Sequence, residues 1–78
     1  MKIRAYILIE ASAGTGNRVL GAIRDLPATL QADRVTGPYD VIAVVESDDL
    51  NALRSVLRDR VESIPGITRT MTCLRFEG

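Results

Sequence analysis

Five consecutive apolar residues, Val41-Ile42-Ala43-Val44-Val45, follow directly on a polar turn, Thr36-Gly37-Pro38-Tyr39-Asp40. Successive side chains of a strand point to opposite faces, so Val41, Ala43 and Val45 take one side and Ile42 and Val44 the other. A strand that is apolar on both sides has to be covered on both sides. The fold must therefore provide, or recruit, two covers for one sheet. The turn in front of the strand sets a carboxylate, a phenol and free backbone groups at the mouth of that sheet, a natural rim for a small ligand.

Along the whole chain the order strand, helix, strand occurs twice, without an internal sequence repeat. Ile3 to Glu10 alternates, with Ile3, Ala5, Ile7 and Ile9 on one face and Arg4, Tyr6, Leu8 and Glu10 on the other. Ala11 to Gly16 is a loop by composition, and a helix from about Gly16 to Leu26 follows, capped by Thr15 and stopped by Pro27. Its inward face is Val19, Leu20, Ile23 and Leu26. Thr29 to Thr36 is a short strand with polar breaks, as suits a sheet edge, and the tight Gly37-Pro38 connection makes it a hairpin with the strand Asp40 to Glu46. Ser47-Asp48-Asp49 caps a second helix, whose stripe is Leu50, Leu53, Val56, Leu57, Val61 and Ile64. After Pro65-Gly66, Ile67 to Phe76 forms the last strand, with Ile67, Arg69, Met71, Cys73 and Arg75 on one side and Thr68, Thr70, Thr72, Leu74 and Phe76 on the other.

That order, βαββαβ, predicts an α+β ferredoxin-like sandwich: a four-stranded antiparallel sheet with both helices on one face. The opposite face carries Tyr6, Leu8, Ile42, Val44 and one side of the last strand, and a second copy packed sheet on sheet is the simplest cover. The length of 78 residues makes this a single domain, 1–78, and a domain this small buries only about 60% of its unfolded surface, so a dimer would add to a thin core.

Composition narrows the function. Ten Lys and Arg balance ten Asp and Glu, scattered without a basic stripe, and there is no Trp, so direct nucleic-acid binding is not expected. No apolar run approaches the roughly 20 residues of a membrane span, and the start lacks a signal-peptide pattern. The single cysteine, Cys73, fits a reducing, cytoplasmic setting and reads as a small buried hydrophobe at a strand centre. With no His and one Cys, neither a metal site, a cofactor nor acid–base or nucleophilic catalysis is expected. Gly14-Thr15-Gly16 before a helix lacks the Lys of a phosphate loop and reads as a loop and cap.

Three stretches in this order, Thr36-Gly37-Pro38-Tyr39-Asp40-Val41-Ile42, Ile64-Pro65-Gly66-Ile67 and Arg69-Thr70-Met71-Thr72, make the chain resemble the effector-binding (RAM) domain of the Lrp/AsnC family of feast/famine regulators over essentially its whole length. The resemblance implies a domain that dimerises through its sheets, dimers that assemble into rings such as octamers, and an amino acid or related small effector held between dimers. By position it nominates Gly37, Tyr39, Asp40, Thr70 and Thr72 for the effector. Regulators of the family carry a helix-turn-helix domain in front of this one, whereas Met1 here stands directly before the first strand. The resemblance therefore implies a stand-alone, non-enzymatic effector domain, acting with full-length Lrp/AsnC regulators in mixed oligomers or through another partner.

Each nominated residue also has a plainer reading. Asp40 can take an effector ammonium or satisfy N–H groups of its own turn. Gly37 suits a turn that needs permissive φ and ψ. Thr70 and Thr72 share a face and offer hydroxyls, and threonine also simply favours strands. Tyr39 can line a pocket or pack an interface. Three other functions fit the topology: a small monooxygenase- or isomerase-like dimeric α+β barrel enzyme, a ligand-free assembly module, and an ACT-type amino-acid-binding domain, whose glycine pattern Gly14 and Gly16 match weakly.

Overall fold

The computed structural model describes residues 2–76, and Met1 lies outside them. Strands β1 (Ile3–Ala11), β2 (Thr29–Arg34), β3 (Val41–Ser47) and β4 (Ile67–Leu74) form one sheet in the order β2-β3-β1-β4, every neighbour antiparallel. Helix α1 (Gly16–Arg24) connects β1 to β2. Helix α2 (Leu50–Val56) runs on into a π-helical turn, Leu57–Val61, before β4. The predicted βαββαβ sandwich is the observed fold, with β2 at a sheet edge and paired to β3 as a hairpin.

Both helices cover the same face. Ala5, Ile7 and Ile9 of β1 and Val41, Ala43 and Val45 of β3 cluster with Val19 and Ile23 of α1 and with Leu53 and Val61 beyond β3. The π turn explains how α2 keeps its stripe inward. At 3.6 residues per turn, Val61 would sit about 80° round the helix from Leu53. The wider turn, closed by Glu62 N–H donating to Leu57 O (2.9 Å), returns Val61 to the core, where it and Leu53 are each 1% exposed. Leu50, expected in the stripe, is instead exposed where the helix starts beyond the end of β3.

Local chemistry differs from the sequence reading at a few ends. Asp49 caps α2 as expected, accepting from Ala52 N–H at 2.8 Å. Thr15 occupies the N-cap position of α1 but makes no side-chain cap: its backbone is already in the helical region (φ −106°, ψ −2°) rather than extended, and its hydroxyl donates backward to Ser12 O (2.7 Å). Helix α1 stops at Arg24 rather than Leu26, since Thr29 turns in and its hydroxyl takes the Ile23 carbonyl at 2.7 Å. The Pro65-Gly66 turn folds against the β1–α1 loop: Ser12 N–H donates to Gly66 O (2.8 Å), and Gly66, at φ +100°, has Thr15 so close that a Cβ would lie 2.8 Å from it.

A register shift between Glu10 and Ala11 alters β4 at its start. Simple alternation sets Ile67 on the same side as Arg69 and Met71; the shift instead packs it against the helix-side core. Cys73, expected to be buried, is exposed. It lies opposite Tyr6 on the side of the sheet that no helix covers, on an edge strand.

That uncovered face carries Tyr6 and Leu8 of β1, Ile42 and Val44 of β3 and Met71 and Cys73 of β4. An ion pair bounds each end of the β1 strip, Arg4 with Glu46 at 3.0 Å and Glu10 with Arg69 at 3.6 Å.

Candidate functional site

The polar turn is stitched to the sheet at its last residue. Val35 N–H donates to Asp40 O (3.0 Å), closing the β2–β3 hairpin, and Asp40 N–H donates to Ile9 O (2.8 Å). The Asp40 carboxylate accepts from Ala11 N–H at 2.8 Å, just where the β1–β4 register shifts. The bond a turn aspartate commonly makes to its own backbone is thus made to the neighbouring strand, where it satisfies the last β3-facing N–H of β1. Gly37 has φ +126°, a conformation that suits glycine.

Tyr39 leaves the turn toward the uncovered face. Its hydroxyl donates to Met71 Sδ at 3.6 Å, and Met71 stands opposite Leu8. The half-buried phenol therefore spans from the entry of β3, past the end of β1, to β4.

Thr70 and Thr72 sit on the other side. They pair with Ile9 and Ile7, whose side chains point to the helices, and cross-strand partners share a face. The helices stop short of this edge, so Thr72 is exposed and Thr70 half-buried. Within one chain, then, the structure brings Tyr39 to the uncovered face, Asp40 to the end of β1, and the two threonines to the helix side of the edge strand. The five nominated residues do not close around one volume.

A cleft that the sequence did not flag lies beside Thr70. It has a volume of 240 Å3 and is lined by Glu62, Ile67, Thr68, Arg69 and Thr70. Its floor, Ile67, packs on the core, and Thr68 Oγ1 donates to Glu10 O at 3.2 Å. From the sequence Glu62 is only a solvated helix residue; the one signal for it is its place just ahead of the Pro65-Gly66 turn that delivers β4.

Among the described residues no group of three or more His, Cys, Asp or Glu side chains could hold a metal ion, and no helix is long and apolar enough to cross a membrane.

A family profile for the Lrp/AsnC ligand binding domain matches residues 4–77. The chain belongs to the Lrp/AsnC ligand-binding domain family. Among solved structures it is similar to TTHA0845 from Thermus thermophilus, at 34% identity over 97% of this chain and 95% of that one, with a TM-score of 0.92. FFRP-DM1 is 30% identical over 95% of this chain and 99% of its own, with a TM-score of 0.91. The transcriptional regulator NMB0573 from Neisseria meningitidis, solved as a complex with L-Met, shares the fold at a TM-score of 0.85 and 19% identity; 96% of this chain matches 50% of that one. No curated protein matches the chain. Membership of the Lrp/AsnC family identifies the sandwich as a regulatory ligand-binding domain, of the kind found in transcriptional regulators.

Proposed function

We propose that this chain is a non-enzymatic amino-acid sensor that associates through its uncovered sheet face, with the effector bound between dimers by Gly37, Tyr39, Asp40, Thr70 and Thr72. The observation that carries the reading is the uncovered strip of Tyr6, Leu8, Ile42, Val44 and Met71, bounded by ion pairs and touched at its rim by the polar turn through Tyr39. An apolar strip with charged ends suits a second copy of the same face, because an isologous contact is self-complementary. The division of the nominated residues between the two sides of one chain supports a site that a neighbouring subunit completes. The L-Met complex of NMB0573 supports an amino acid as the effector. Rings of dimers, a cytoplasmic location and mixed oligomers with full-length Lrp/AsnC regulators belong to the same proposal.

An enzymatic role has little room. The space between helices and sheet is filled by Ile7, Ile9, Val19, Ile23 and Leu53, each 0–1% exposed, rather than by a polar cluster.

Titration calorimetry of the common amino acids against the chain tests the proposal. At least one is expected to bind at millimolar concentration or below and to raise the thermal midpoint, as a ligand of the native state must. No binding by any of them at millimolar concentration contradicts it.

A further inference from the structure

We propose that Glu62 is the anionic end of the effector site, taking the ammonium of an α-amino acid whose carboxylate lies along the free backbone edge of β4. This rests on the amino-acid reading above and deepens it.

The first step is the state of Asp40. One of its carboxylate oxygens holds Ala11 N–H at 2.8 Å, and the residue is tied to the end of β1. An ammonium seated beside Thr70 needs a carboxylate on that side of the sheet. Glu62 is the one that lines the cleft with Thr70. Its side chain is exposed and forms no ion pair among the described residues, unlike Glu10, which pairs with Arg69, and Glu46, which pairs with Arg4. On its other side Glu62 borders a groove with Arg54, Leu57 and Arg58, where Arg58 is held by Asp59 at 3.2 Å.

The second step is the strand edge. β4 is the last strand of the sheet, with β1 on one side only. Arg75 N–H donates inward to Arg4 O at 2.9 Å. Backbone groups alternate in direction along an antiparallel strand, so those of Thr72 and Thr70 point away from β1, outward along the edge. Thr70 thus presents an N–H and a hydroxyl at the cleft, suited to a carboxylate, while Glu62 presents the complementary charge.

The third step is size. The cleft's 240 Å3 falls below the roughly 300–1,000 Å3 of pockets for drug-sized ligands, which suits one small zwitterion. A carboxylic acid without the ammonium, or an amine without the carboxylate, would satisfy half of the arrangement.

The experiment uses calorimetry on the full chain with the common amino acids, followed by the strongest binder and its des-amino analogue, in which hydrogen replaces the ammonium. Glu62→Gln keeps the shape and removes the charge, and Glu62 is exposed, so the variant should fold; circular dichroism checks this. Loss of a charge-assisted hydrogen bond should weaken the amino acid by roughly 10- to 100-fold. The des-amino analogue should bind wild type and Glu62→Gln alike. Wild-type affinity of Glu62→Gln for the amino acid overturns the assignment while leaving the sensor reading standing. So does an equal loss for both ligands, which would mark a structural role. If no amino acid binds the wild-type chain, the sensor reading falls first and the assignment with it.

Discussion

The two faces of the sheet are built from the same kinds of residue and end up in opposite conditions. On the helix side Ala5, Ile7, Ile9, Val41, Ala43 and Val45 are 0–1% exposed. On the other side Tyr6 and Met71 are 40% and 42% exposed, with Leu8, Ile42 and Val44 between those limits and full burial. β3 shows the contrast within one strand, where alternate residues go from buried to half-buried along its whole length. The helix face is finished within one chain and makes the fold. The other face keeps the apolar chemistry of a core without a cover, and it is the face the proposed assembly would close.

Truncation on either side of β1 should separate the two roles. Ile7→Ala removes a fully buried side chain and should cost about 2–5 kcal/mol, enough to unfold much of a domain this small; urea unfolding checks it. Leu8→Ala, one residue along and only half-buried, should cost the dilute chain clearly less than Ile7→Ala and remove the rise of the thermal midpoint with protein concentration. Equal effects of the two on the dilute chain would erase the distinction between the faces.

A smaller effect sharpens the border between them. Asp40→Asn keeps an oxygen that can accept from Ala11 N–H, whereas Asp40→Ala leaves that N–H at the end of β1 without its partner. Asp40→Ala should therefore destabilise by about 1–3 kcal/mol and Asp40→Asn by much less. If Asp40 also serves the effector, Asp40→Asn should lower effector affinity while keeping its thermal midpoint. Equal midpoints for Asp40→Ala and wild type would remove the structural role of the carboxylate.

Period-two and period-3.6 patterns made the architecture readable in advance. Ile3 to Ile9 and Val41 to Val45 announced a sheet with one covered and one greasy face, and Val19, Ile23, Leu53 and Val61 announced the covering helices. What the pattern missed turns on backbone irregularities. The shift at Glu10 and Ala11 moved Ile67 to the core side, and the π turn aligned Val61 with Leu53; neither leaves a periodic mark in the sequence. Cys73 looked like a core residue because strand centres are usually buried, but its strand is an edge and its face is the uncovered one. The nominated residues could be picked from the sequence, but their placement in the fold could not. Gly37, Tyr39 and Asp40 are adjacent in the chain, yet Tyr39 and the threonines go to opposite sides of the sheet. Glu62 became visible only when the Pro65-Gly66 turn set it beside β4.

Sedimentation of wild type and Val44→Glu at micromolar concentration tests the claim on which the rest depends, that the uncovered face is closed by another subunit. Wild type should sediment as a dimer or a larger assembly. Val44→Glu, with a charge in the middle of the apolar strip, should sediment as a folded monomer, since Val44 lies outside the helix-side core. A wild-type chain that stays monomeric at that concentration, or a Val44→Glu chain that assembles as well as wild type, would contradict it.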